Sequence, residues 1–130
     1  MIEIIKEKPP FLLQLQMAGL KPKEDTIFPF SLKIYNPSGK PIPQDIMIHE
    51  AIHIRQQGKN PKEWWDRYIL DKNFRLGQEL LANREQYKFI CKLTKDREKR
   101  NKALVAMAKN MSGEVYGKII SYQEAFEKIK

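Results

Sequence analysis

The sequence predicts an α+β fold in which a small β-sheet packs on helices. Three observations carry that expectation. Residues 27–35 alternate with the period of a strand, and several later stretches repeat apolar residues with the period of a helix. The first of those helical stretches contains His49-Glu50-Ala51-Ile52-His53. A length of 130 residues sits near the commonest domain size, so residues 1–130 are expected to form one domain around one core.

Ile2–Ile5 reads as a short strand. Pro9-Pro10 opens a helix expected to reach Leu20, because proline is tolerated in a first turn and Phe11, Leu12, Leu15 and Ala18 follow at helical spacing. From Ile27 to Tyr35, Phe28, Phe30, Leu32 and Ile34 share one face and Ser31, Lys33 and Tyr35 the other. That pattern predicts one strand, and Pro29 places it at a sheet edge. Asn36-Pro37-Ser38-Gly39 is a turn.

A helix should start at Asp45 as N-cap and end at Gly58. Its apolar residues Ile46, Met47, Ile48, Ala51, Ile52 and Ile54 go nearly all the way round, as expected of a helix sunk in a core. Pro61, Trp64, Trp65 and Tyr68 predict a short helix whose aromatics pack between its neighbours. A long helix follows from about Phe74 to Leu93, and another runs from Asp96 to Asn110. Ser121-Tyr122-Gln123-Glu124 is a capping box that starts the last helix.

Composition narrows the function classes. No apolar run approaches the roughly 18–20 residues a membrane span needs, so no membrane partner is expected. The start, Met1-Ile2-Glu3-Ile4-Ile5-Lys6, is too short and too charged for a signal peptide. Cys91 is the one cysteine, which excludes an internal disulfide and suits a reducing, cytoplasmic compartment. The net charge of +8 permits nucleic acid as a partner without favouring it. Asp96 and Glu98 interrupt the one basic run, Lys92–Lys102, which reads better as a solvated helix face.

The pentapeptide carries the chemistry. His49 and His53 are the only histidines of the chain, and four residues apart on a helix they share one face about 5–6 Å apart. Two imidazoles at that spacing can bind one Zn2+, with Glu50 between them as general acid/base for a water. A catalytic zinc takes three protein ligands. With no third histidine, the third is a carboxylate or Cys91. On the long helix, Leu76, Leu80, Tyr87 and Ile90 define an inward stripe; Glu79 projects beside it and Glu85 nearly opposite. Glu79 is therefore preferred over Glu85, Cys91 and Asp71. Gln56, Asn83 and Gln86 lie on the ligand faces, where they could orient the ligands or simply satisfy backbone groups and buried water.

With His49-Glu50-Ala51-Ile52-His53 followed by Glu79-Leu80-Leu81-Ala82, the chain resembles the gluzincin metallopeptidases, which carry a histidine pair on an active-site helix and a glutamate on a second helix. At this length it resembles the minigluzincins, and residues 35–87 also look like phage-encoded or prophage-encoded zincin-like proteins. The resemblance implies a minimal zincin-like fold and a zinc-dependent hydrolase acting on a peptide or protein substrate. His49, His53 and Glu79 would be metal ligands and Glu50 the general base. It also implies a tyrosine to stabilise the oxyanion, with Tyr87, Tyr116 and Tyr122 all open. The strand before the active helix would hold an extended peptide by strand addition, and residues 116–130 are the segment to suspect of blocking the cleft. The alternative reading is a non-catalytic metal-binding or DNA-associated phage accessory protein.

Overall fold

A computed structural model describes residues 1–130. The chain runs β1 (Glu3–Ile5), α1 (Leu12–Met17), β2 (Phe28–Phe30), β3 (Lys33–Tyr35), α2 (Gln44–Gln57), α3 (Pro61–Leu70), α4 (Lys72–Leu93), α5 (Arg97–Met111), a 3-10 turn (Glu114–Tyr116) and α6 (Tyr122–Ile129). Six helices and a three-stranded mixed sheet make an α+β architecture. The strand order is β1-β3-β2, with β1 parallel and β2 antiparallel to the central strand.

The single strand expected over residues 27–35 is a hairpin. Ser31 adopts φ +53°, in the left-handed region, and turns the chain so that Phe28 faces Tyr35 and Phe30 faces Lys33. Leu32, expected on the buried face, sits at the tip and is 54% exposed. Apolar alternation continues through the turn, so periodicity alone could not register it. Ile34 is the fully buried centre of the sheet, paired with Ile4 on one side and Pro29 on the other.

Helix α1 is shorter than expected. Pro9 and Pro10 lie in a turn before it rather than in its first turn, and Gly19 ends it with φ +90°. Asp45 falls in the first turn of α2 and Pro43 takes the cap position. Asp96 and Ser121 do cap α5 and α6, each accepting backbone N–H bonds through its side chain.

Helix α4 is the scaffold, packed against α2, α3, α5 and α6. Two apolar clusters flank it. Leu15, Leu20, Phe28, Trp64, Trp65 and Tyr68 form one, joining α1, β2 and α3. Leu104, Met107, Ala108, Met111, Ala125 and Ile129 form the other between α5 and α6, and Leu76, Leu80, Tyr87 and Ile90 of α4 lean on it. The most deeply buried face of α4 is neither aliphatic stripe nor cluster. It is Arg75, Glu79, Ala82, Asn83 and Gln86. The same inversion holds in α2, where His49, Glu50, His53 and Gln57 are buried and the surrounding isoleucines only half so. The expectation of α2 as a helix buried nearly all the way round is thus corrected: its apolar residues are only half-covered, and its polar sector faces inward, onto the polar face of α4.

Candidate metal centre

Helix α2 presents His49 and His53 one turn apart, and their Nε2 atoms lie 3.1 Å from each other. Glu79 enters from α4. Its Oε1 is 3.1 Å from His49 Nε2 and its Oε2 is 3.0 Å from His53 Nε2. All three side chains are buried. His49, Glu50 and His53 also offer donor atoms within 4.8 Å of one another, so this buried group could hold a metal ion. Glu79 approaches both imidazoles more closely than Glu50, whose Oε1 is 3.8 Å from His49 Nε2.

The proton positions follow from the neighbours. Gln86 donates through Nε2 to Asp45 Oδ2 (2.8 Å), which turns its amide oxygen onto His49 Nδ1 at 2.9 Å. Gln56 donates through Nε2 to the Gln78 carbonyl (3.1 Å) and turns its oxygen onto His53 Nδ1 at 2.8 Å. An amide oxygen only accepts, so each Nδ1 is the donor, and a ring that carries no second proton presents a bare Nε2 lone pair. Two such lone pairs then face each other across 3.1 Å, with a carboxylate against both. Only a cation or an added proton can relieve that convergence.

A tetrahedral site with bonds of about 2.0–2.1 Å has edges of about 3.3 Å. The His49 and His53 Nε2 atoms, 3.1 Å apart, lie close to one such edge, and Glu79 meets the two rings through different oxygens. The donor set, two imidazole nitrogens and one carboxylate, suits a borderline divalent ion such as zinc.

Electrostatics separate the two glutamates. Burial pushes the Glu50 carboxyl up to about 8; His49 opposes that shift and the like charge of Glu79 adds to it. Its Oε2 is buried with no hydrogen-bond partner. Glu79 is buried too, but the adjacent His53 and His49 override burial and hold its carboxyl well below the usual range. Glu79 is therefore a fixed anion, whereas Glu50 is poised to gain or lose a proton near neutrality.

Other residues singled out in the sequence fall into place around this group. Glu85 is on the surface, paired with Lys88. Asp71 caps α4 by accepting the Phe74 N–H. Cys91 lies twelve residues beyond Glu79, about 18 Å along the helix. Asn83 donates to the backbone carbonyl of Glu79 (2.8 Å), so it holds the helical turn and not a ligand side chain. The three candidate tyrosines separate. Tyr87 packs toward the α5–α6 cluster and Tyr122 is 40% exposed on α6, both away from the centre. Tyr116 alone lines the space beside His49 and Glu50. Burial first, then the Glu79 and Glu50 carboxylates, raise its pKa well above the ordinary tyrosine value.

The sequence favours packing over a substrate pocket for Tyr68, and it packs against Trp64 and Trp65. It also donates its hydroxyl to Glu79 Oε2 at 2.6 Å. The signal for it was available: a buried tyrosine needs a partner for its O–H, and one residue, Asp71, separates its helix from the one carrying Glu79.

A cleft of about 570 Å³ opens on one side of the group. It is lined by His49, Glu50 and Tyr116, by residues of the segments before β2 and between β3 and α2, and by Ala103, Ala106, Met107 and Asn110 of α5. Of the suspected blocking segment, only Tyr116 reaches this cleft, and α6 packs elsewhere. The expectation of strand addition along residues 28–35 also needs correcting. The Pro29 carbonyl accepts from Gln57 Nε2 and Trp65 Nε1, each at 2.8 Å, and the Ser31 N–H donates to Gln57 Oε1 at 2.7 Å. That stretch of edge is already occupied.

No family model, curated protein or solved structure matches the chain. No helix is long and apolar enough to cross a membrane.

Proposed function

We propose that the protein is a metal-dependent peptidase of minimal zincin type, with His49, His53 and Glu79 holding Zn2+ and Glu50 acting as general base. One observation carries this reading: two imidazoles, locked by Gln86 and Gln56 into the tautomer that bares Nε2, converge with Glu79 at 3.0 to 3.1 Å. The ion, when bound, would supply the Lewis acidity that brings the pKa of a water from about 15.7 to near 7. The chain's own residues do the rest. Glu50, buried and with one oxygen uncommitted, accepts the proton of the attacking water and returns it to the leaving amine. Tyr116, beside both glutamates, is the group placed to donate to the developing oxyanion. The cleft beside His49 and Glu50, about 570 Å³, is lined by Ala103, Ala106 and Met107 of α5, which offer apolar surface to a peptide side chain.

The proximity of Glu50 to both imidazoles favours a second reading, in which it is a fourth ligand and the centre is a closed structural one. Glu50→Gln separates the two. A general base that is replaced leaves metal content intact and abolishes chelator-sensitive cleavage of a peptide library, whereas loss of a fourth ligand weakens metal binding itself. Wild-type protein that takes up no stoichiometric zinc would defeat both.

A further inference from the structure

Arg75 is one of the most deeply buried side chains of the molecule, 2% exposed, yet no carboxylate lies within 4 Å of it. Its guanidinium hydrogen-bonds backbone carbonyls. Nη1 donates to the Tyr68 carbonyl at 2.7 Å and the Ile69 carbonyl at 3.1 Å, and Nε donates to the Tyr116 carbonyl at 3.0 Å. Two of these bonds cap the last turn of α3, where carbonyls have no helical partner. Capping does not account for the third, which reaches 41 residues along the chain to the 3-10 turn.

The residues so joined include two tyrosines beside Glu79. Tyr68 donates to its Oε2 at 2.6 Å, and Tyr116 lines the same small pocket as Glu79, His49 and His53. We infer that Arg75 is a positioning residue: one rigid, buried fork ties the backbones of Tyr68 and Tyr116 together and so sets both phenols around the ligand Glu79. This rests on the reading of Glu79 as a metal ligand. Guanidinium geometry suits the task, since its donors sit in a fixed planar fork that spans carbonyls on two segments, whereas the three donors of an ammonium radiate from one freely rotating point. Gly117 keeps the arrangement tight. It adopts φ +82°, and a Cβ there would stand 3.3 Å from Arg75 Nη2.

The test compares wild type with Arg75→Met, which keeps an apolar stem and removes every donor, and with Arg75→Lys. Two readouts are taken: hydrogen exchange by mass spectrometry, and titration with Co2+ alone followed by its visible absorption. For Arg75→Met we expect exchange over residues 113–118 to rise about tenfold or more while α5 stays protected. The Co2+ dissociation constant should rise about tenfold with a shifted spectrum, as when a partner of a metal ligand is lost. Arg75→Lys should fall between. Unchanged exchange at 113–118, or exchange that rises equally in every helix with the Co2+ spectrum intact, would overturn the inference. Should Arg75→Met not fold, Gly117→Ala displaces the same turn from the other side and faces the same two criteria. Wild type that binds no Co2+ would refute the metal reading alone, and the exchange measurement would still decide whether Arg75 holds the turn.

Discussion

Helices α2 and α5 both pack against α4, yet they bury opposite chemistries. Helix α5 turns Leu104, Met107, Ala108 and Met111 inward, and these join Ala125 and Ile129 in an aliphatic cluster. Helix α2 turns His49, Glu50, His53 and Gln57 inward and leaves its isoleucines half-covered. The α5 side is held by removal of apolar surface from water, at about 25 cal/mol per Å². The α2 side is held by directional bonds, of which nearly every one is made and one, at Glu50 Oε2, is not. One half of the α4 surface stabilises the fold, and the other half carries an arrangement that the fold must hold together.

That contrast can be broken most severely at Glu50. On the proposed mechanism, Glu50→Gln lowers kcat by about 10²–10⁴ with zinc content unchanged, read from single-turnover cleavage and metal analysis of the same sample. On the other face, Leu104→Ala should cost about 2–5 kcal/mol in urea unfolding while zinc affinity stays within error. A large loss of affinity there would show that the two faces are coupled.

Acidity sharpens the difference further. Glu50 carries a pKa of about 8 in the folded chain against 4.5 ordinarily. Between those values the folded state holds a proton that the unfolded state has released, so the metal-free protein loses stability as pH rises, by up to about 1.4 kcal/mol per unit. His53, whose pKa is also raised because Glu79 overrides its burial, contributes with the same sign. The melting temperature of chelated protein should therefore fall from pH 6 to pH 8, and less so in Glu50→Gln. A rising profile in the wild type would contradict the burial of Glu50. The smallest expected effect is at Gln86→Leu, which frees His49 to change tautomer and should weaken zinc binding about 10–100-fold, measured by competition with a chromophoric chelator.

The parts of the molecule that could be read from sequence are those set by a single element. The pentapeptide lies on one helix, so its face was fixed by helical pitch alone. Glu79 was distinguished from Glu85 in the same way, since six residues along a helix separate an inner from an outer face. The hairpin at Ser31 escaped because its residues keep the strand's alternation through the turn. Tyr116 could not be chosen over Tyr87 and Tyr122, because the choice depends on where a 3-10 turn lands against α4, a matter of tertiary contact. Nothing in the sequence marks Arg75, and only the approach of α3 and the turn makes it interior. The helical pattern also misjudged α2. Its ring of isoleucines implied burial on every side, and these are in fact only half-covered, while the polar sector is the hidden one.

The blocked stretch of β2 has a bearing on how the molecule behaves in a crowded solution. A sheet of three short strands has two open margins, and unpaired margins invite copies of a chain to stack into fibres. On the β2 margin, Pro29 has no amide hydrogen to offer, its oxygen is bonded to Gln57 and Trp65, and the Ser31 amide is bonded to Gln57. Intermolecular growth from that border is thereby denied its template, and the glutamine that seals it is the next buried residue after His53 on the histidine-bearing helix.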